Sequence, residues 1–222
     1  MSNSEISVEV YRDVECRDAP VDAAESGVDL ISRITTGIQI VRASRLLRIA
    51  PSDSDVVNID KIRWPKFDAD LNVVLTERPI CANGGTVAYK YGVSVRDERA
   101  GSLRVAVVDI NHPDFPDVVA AHELGHLFSL KKSGESWDND GHCKLPSCLM
   151  QQYTQTIERE VPVTQRGLRR LSEKVGFSSV QYETTKHPKA DEFCQECARQ
   201  LDKSAFFLKE SKAGKYIPSD WL

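Results

Sequence analysis

The chain has 222 residues, 41% of them hydrophobic and 28% charged, an ordinary globular balance that suffices for one domain with its own core. Its net charge of −4 argues against a dedicated nucleic-acid binder, which carries a basic excess. No apolar run reaches the roughly 18–20 residues of a membrane span, and residues 1–6 lack a basic-then-apolar leader pattern, so the expected location is the cytoplasm.

Residues 6–12 alternate in the manner of a strand. Residues 20–36 predict a helix, with Val21, Ala24, Val28, Leu30, Ile31 and Ile34 as its apolar positions. Residues 38–49 read as a strand whose Arg42, Arg45 and Arg48 form a solvated face. A polar connection over 51–70 leads to a short β-rich run at 71–76. Residues 86–95 and 103–110 are two further strands, joined by turn-rich 96–102 with Gly101. Asp114, Pro116 and Asp117 then suit the cap and first turn of a helix running to about residue 130. Ala120, Leu124, Leu127 and Phe128 would face its core, with His122, His126 and Ser129 on another stripe. Residues 131–141 have loop composition, and 164–175 and 190–203 are expected helices. Strands and helices in this mixed order predict an α/β or α+β domain.

The helix at 116–130 carries His122-Glu123-Leu-Gly-His126. Residues four apart share a helix face, so both imidazoles can reach one metal ion, and Glu123 can address a water bound to it. Of five histidines in the chain, His122, His126 and His142 lie within one short segment. A catalytic zinc takes three protein ligands and keeps a place for water. The third ligand is open between His142, the loop carboxylates Asp138 and Asp140, and a carboxylate farther on such as Glu158. Four of the six cysteines form two close pairs, Cys143/Cys148 and Cys194/Cys197; Cys16 and Cys81 stand alone and receive no role.

Taken together, HExxH, His142-Cys143, Cys148-Leu-Met150 and Cys194-Gln-Glu-Cys197 resemble the motif series of the archaemetzincins, zinc peptidases of the metzincin type. The motifs span 122–197. The resemblance implies a mixed twisted sheet with an active-site helix and a small C-terminal helical subdomain held by zinc. It implies one catalytic domain over 1–203, divided near 130, with 204–222 as a tail. It departs from the family in two places: Ser129 stands where the family has a turn glycine, and Lys132 where it has the third histidine. An insertion between Leu130 and His142 restores His142 as the third ligand, since long surface insertions cost little in closure entropy. The interval from Met150 to Cys194 is also longer than the family's, which places an extra segment around 154–189.

By the same resemblance Met150 is an apolar floor beneath the metal site, and Tyr153 is a candidate to approach the metal or substrate. Cys143, Cys148, Cys194 and Cys197 correspond to a second zinc site. Four thiolates close the tetrahedron, so that site is structural and pins the metal-site loop to the C-terminal helix. The implied function is peptide-bond hydrolysis with two zinc ions per chain and Glu123 as general base. The substrate is a peptide or protein, extended along a sheet edge formed by 86–95 or 102–110; no nucleic acid or membrane is implied. The alternative is a catalytically inactive zinc protein of the same fold acting as a binding module. A zinc-ribbon-like nucleic-acid binder rests on the four cysteines alone.

Overall fold

A computed structural model describes residues 5–14, 21–35, 38–50, 56–81, 89–90, 92–97, 103–110, 116–128, 142–145, 148–151, 155–159, 180–184 and 192–212. In chain order these hold β1 (Ile6–Asp13), α1 (Val21–Ser32), β2 (Ile38–Leu47), β3 (Val57–Asn58) and a single 3₁₀ turn (Ile59–Lys61). They continue with β4 (Leu71–Thr76), β5 (Ile80–Cys81), β6 (Tyr89–Lys90), β7 (Gly92–Asp97) and β8 (Leu103–Asp109). Then come α2 (Pro116–Leu127), β9 (Gln155–Arg159), β10 (Val180–Thr184) and a last helix, α3 (Gln195–Lys212).

The central sheet has the order β2-β1-β4-β8-β7. Its first four strands are mutually parallel, and β7 runs antiparallel to β8. Parallel strands are covered on both faces and read as unbroken apolar runs; Leu71–Thr76 is buried along its whole length. One face, with Ile6, Val8, Val10, Val73, Leu75, Ala106 and Val108, packs under α1 and α2. The other face, with Tyr11, Val74, Val105 and Val107, is covered by Ile49, Val57, Ile59 and Ile80, with Trp64 and Phe67 behind. Covering on both sides explains why Val8 to Tyr11 are all buried where alternation predicts a half-exposed strand.

That burial forces partners on the polar residues of β1. The Tyr11 hydroxyl donates to Glu9, and Arg45 Nε, on the exposed side of β2, lies 3.3 Å from Glu9 Oε1. Burial, and then the bond to Glu9, push the Tyr11 phenol above its ordinary range. Asp13 is fully buried and paired with Arg78, while the Thr76 hydroxyl donates to Asp13 Oδ2 at 3.3 Å.

Several elements depart from expectation. The connection at 51–70 contains β3 and the 3₁₀ turn, and Ile80–Cys81 forms β5. With β6, β9 and β10 these make a second sheet of order β3-β5-β6-β10-β9. Strands of two residues carry no periodicity that a sequence reading can detect. Arg96 and Asp97 belong to β7, opposite Arg104 and Leu103, because the hairpin pairing continues into the expected turn. The C-terminal helix begins at Gln195 and continues through the expected boundary at 203/204 to Lys212. Cys197, Leu201, Ala205 and Leu208 recur at helical spacing along it and pack into the same core as α1 and α2. Gly101, Ser129 to Gly141, the expected helix at 164–175 and the tail from residue 213 lie outside the described residues. Among the described residues, no helix is long and apolar enough to cross a membrane.

Candidate metal centres

Helix α2 is seated between α1 and the β7–β8 hairpin. Its contact with α1 is close because Gly27 has no side chain; a Cβ there would sit 2.6 Å from the Asp117 carbonyl oxygen and 2.8 Å from Ala120 Cβ. At its other end the helix closes at Phe128, whose N–H donates to the Leu124 and Gly125 carbonyls, both at 3.2 Å. Arg104 Nη1 donates to the Leu127 carbonyl at 3.3 Å, satisfying a helix-end acceptor. Ala120, Leu124, Leu127 and Phe128 are buried, as their spacing predicts.

On the opposite stripe the His122 and His126 Nε2 atoms are 3.1 Å apart. The ring of His142 arrives from outside the helix, its centroid 5.4 Å from that of His122 and 4.8 Å from that of His126. One nitrogen from each of the three rings lies within 4.8 Å of the others. Zinc–nitrogen bonds of about 2.0–2.1 Å in a tetrahedron place ligand atoms about 3.3 Å apart, so the donor set fits zinc. His122 Nδ1 lies 2.8 Å from the Leu149 carbonyl oxygen. A carbonyl only accepts, so Nδ1 carries the proton and Nε2 keeps its lone pair for a metal.

Glu123 follows His122 and is nearly buried, at 8% exposure. Its side chain lies against the backbone of β7: a Cβ on Gly92 would be 2.6 Å from Glu123 Cγ and 2.8 Å from Oε1. Beneath the histidines Met150 is fully buried, and a side chain at Gly125 would collide with its Sδ.

The second cluster is sulfur. Cys143 and Cys194 Sγ are 3.8 Å apart, Cys148 and Cys197 Sγ 3.4 Å, and all four lie within 4.8 Å of one another. Zinc–sulfur bonds of about 2.3 Å give a tetrahedral edge of about 3.8 Å, so this donor set also fits zinc. Backbone N–H groups donate to it, from Leu145 to Cys143 Sγ at 3.5 Å and from Cys194 to Cys148 Sγ at 3.4 Å. The hydrogen bond with Cys197 brings the Cys148 thiol down to about 5 and raises its partner, while burial pushes Cys143 up to about 12.

Of the candidate third ligands, His142 is the one brought to the helix histidines among the described residues. Glu158 sits on β9, opposite Gln181 of the second sheet. Asp138, Asp140 and Tyr153 lie outside the described residues. As for the expected substrate edge, β8 is paired on both sides, by β4 and β7, so of the two it is β7 that lies at an edge of the central sheet among the described residues, with β2 at the other edge. Two contacts at the site escaped the sequence reading. One is Gly92, although an isolated glycine in a strand pattern is a known sign of close backbone approach. The other is the Leu149 carbonyl, for which side-chain identity gives no signal.

No family model matches this chain, and no curated protein matches it. Solved structures do, archaemetzincins among them. One is an archaemetzincin from Methanopyrus kandleri, at 17% identity and a TM-score of 0.51, covering 92% of this chain and 97% of that one. Another is an archaemetzincin from Archaeoglobus fulgidus complexed with malonate, at 16% identity and a TM-score of 0.47, covering 88% and 99%. With the Methanopyrus likeness running over nearly all of both chains, this protein has an archaemetzincin-like fold.

Proposed function

We propose that the protein is a zinc-dependent peptidase holding two zinc ions, one at His122, His126 and His142 and one at Cys143, Cys148, Cys194 and Cys197. The observation that carries this reading is the convergence of three imidazoles, two of them from the helix that also carries the nearly buried Glu123 carboxylate. Three ligands leave a tetrahedral ion one open vertex; four thiolates leave none, so the histidine centre is catalytic and the thiol centre structural.

His122, His126 and His142 would hold the zinc ion, which would supply an acidified water and Lewis-acid polarisation of a carbonyl. The protein's own groups do the rest. The Leu149 carbonyl holds the His122 ring in the tautomer that presents Nε2. The Glu123 carboxylate takes a proton from the attacking water and passes it to the leaving amine. Met150 keeps the underside of the site apolar and dry. An extended peptide adds to the outer edge of β7, which pairs with no other strand among the described residues, with its scissile bond beside Glu123 where Gly92 begins the strand. Four cysteines kept as metal-binding thiolates suit a reducing compartment, and we place the protein in the cytoplasm.

The test is a mixture-based peptide cleavage assay on wild type and Glu123→Gln, with zinc counted in both. The reading expects equal zinc and a fall in turnover of about 10²–10⁴ in the variant. Unchanged turnover rejects Glu123 as the base. No turnover in the fully loaded wild type favours the inactive binding module.

A further inference from the structure

His142 and Cys143 are adjacent in sequence, yet one side chain enters the histidine centre and the other the thiol centre. The same division recurs a few residues on. Cys148 belongs to the thiol centre, while the carbonyl of Leu149 fixes the His122 tautomer and Met150 rests on Gly125 between the two helix histidines. Residues 142–145 and 148–150 are tied to each other, with the Cys143 N–H donating to the Met150 carbonyl at 2.8 Å and the Cys148 N–H to the Leu145 carbonyl at 3.1 Å. Their other side is tied to the start of α3, where the Leu149 N–H donates to the Glu192 carbonyl at 2.9 Å and Cys194 and Cys197 face them.

We propose that occupancy of the four-thiol centre sets the metal affinity of the three-histidine centre, through residues 142–145 and 148–150, which serve both. Metal at the thiols fixes the two cysteines among them against α3. That holds His142 and the Leu149 carbonyl where the helix histidines need them. With the thiols empty, the first metal to reach the histidines must itself order these residues, and its affinity falls by that ordering cost. The coupling is reciprocal: metal at the histidines tightens the thiol centre by the same factor. Groups that orient a metal ligand typically change affinity 10- to 100-fold when lost, which sets the expected size. The inference rests on both centres holding metal, as proposed above, and not on hydrolysis. An inert but metal-loaded protein leaves it standing.

Cobalt is the probe, because thiolate–cobalt charge-transfer bands and histidine-site d–d bands report the two centres separately. In the full chain, Cys194→Ser is expected to lose metal at the thiols and to bind cobalt at the histidines 10- to 100-fold more weakly than wild type. Cys194→His, which restores a zinc donor, recovers most of that loss. A folded Cys194→Ser, empty at the thiols but with undiminished affinity at the histidines, overturns the proposal. Should far-UV circular dichroism show that Cys194→Ser does not fold, the reciprocal arm decides. His126→Ala lies on α2, outside the shared residues, and is expected to weaken cobalt binding at the thiols by the same factor. Unchanged thiol-centre affinity in that variant also overturns the proposal.

Discussion

Replacing Gly92 by alanine tests how tightly strand β7 constrains the Glu123 carboxylate. The glycine is not there to allow an unusual backbone; what excludes a side chain is occupied space. The added Cβ would stand 2.6 Å from Glu123 Cγ, 2.7 Å from Val119 Cγ1 and 2.8 Å from Glu123 Oε1. Carbon atoms rest about 3.5–4.0 Å apart, so Glu123 must yield by about 1 Å. Misplacement on that scale costs a catalytic group about 10²-fold, or about 2.7 kcal/mol of transition-state stabilisation. Overpacking costs a further 1–3 kcal/mol of fold stability, about what such insertions cost elsewhere. The assay is cleavage of a peptide mixture, run beside zinc analysis and urea denaturation. The expected outcome is full zinc content, a modest loss of stability and a fall in kcat of about 100-fold, with KM little changed. Full turnover in a folded Gly92→Ala protein refutes the reasoning, because the carboxylate would then have room that the structure denies it.

Other outcomes follow from the core. Arg78→Leu leaves Asp13 buried without its cation and should cost about 3–5 kcal/mol in urea denaturation; the double variant Asp13→Leu/Arg78→Leu should regain much of it, and a double variant as weak as the single contradicts this. Leu201→Ala on α3 should cost about 2–5 kcal/mol, since the side chain is fully buried in the core shared with α1 and α2; a loss below 1 kcal/mol would mean the helix end packs loosely. Tyr11 has its phenol pKa raised by burial and by Glu9, so folding favours the protonated form. Its contribution is complete below the unfolded value near 10 and is lost as pH rises through the folded value. Stability should therefore fall above pH about 10, and Tyr11→Phe should flatten that slope; equal slopes refute the assignment.

The chemistry was more legible in the sequence than the architecture. His122, Glu123 and His126 are fixed relative to one another by helix geometry alone, and the helix announces itself through Pro116, Asp117 and its buried apolar stripe. The two cysteine pairs could be read because ligand spacing is local within each pair; that the pairs meet is a tertiary fact. The central strands were legible as far as each is apolar and bounded by turns. Their order was not, since β4 reaches β1 and β8 across long connections. The second sheet escaped because β3 and β5 are two residues long, and because the one strand expected at 86–95 holds both β6, which joins that sheet, and β7, which joins the central one. Buried Glu9 and Asp13 look like surface residues until Tyr11, Arg45 and Arg78 are seen beside them. The Leu149 carbonyl is a backbone group, and no reading of side chains points to it.

The central claim is that the histidine centre, with Glu123 beside it, hydrolyses peptide bonds. The direct measurement is cleavage of an unbiased peptide library by protein shown to carry two zinc ions per chain, before and after selective stripping of the histidine centre. Cleavage is expected to disappear with that one ion and to return when it is restored. A protein holding both ions that cuts nothing, or cutting that survives the loss of the histidine-bound ion, contradicts it.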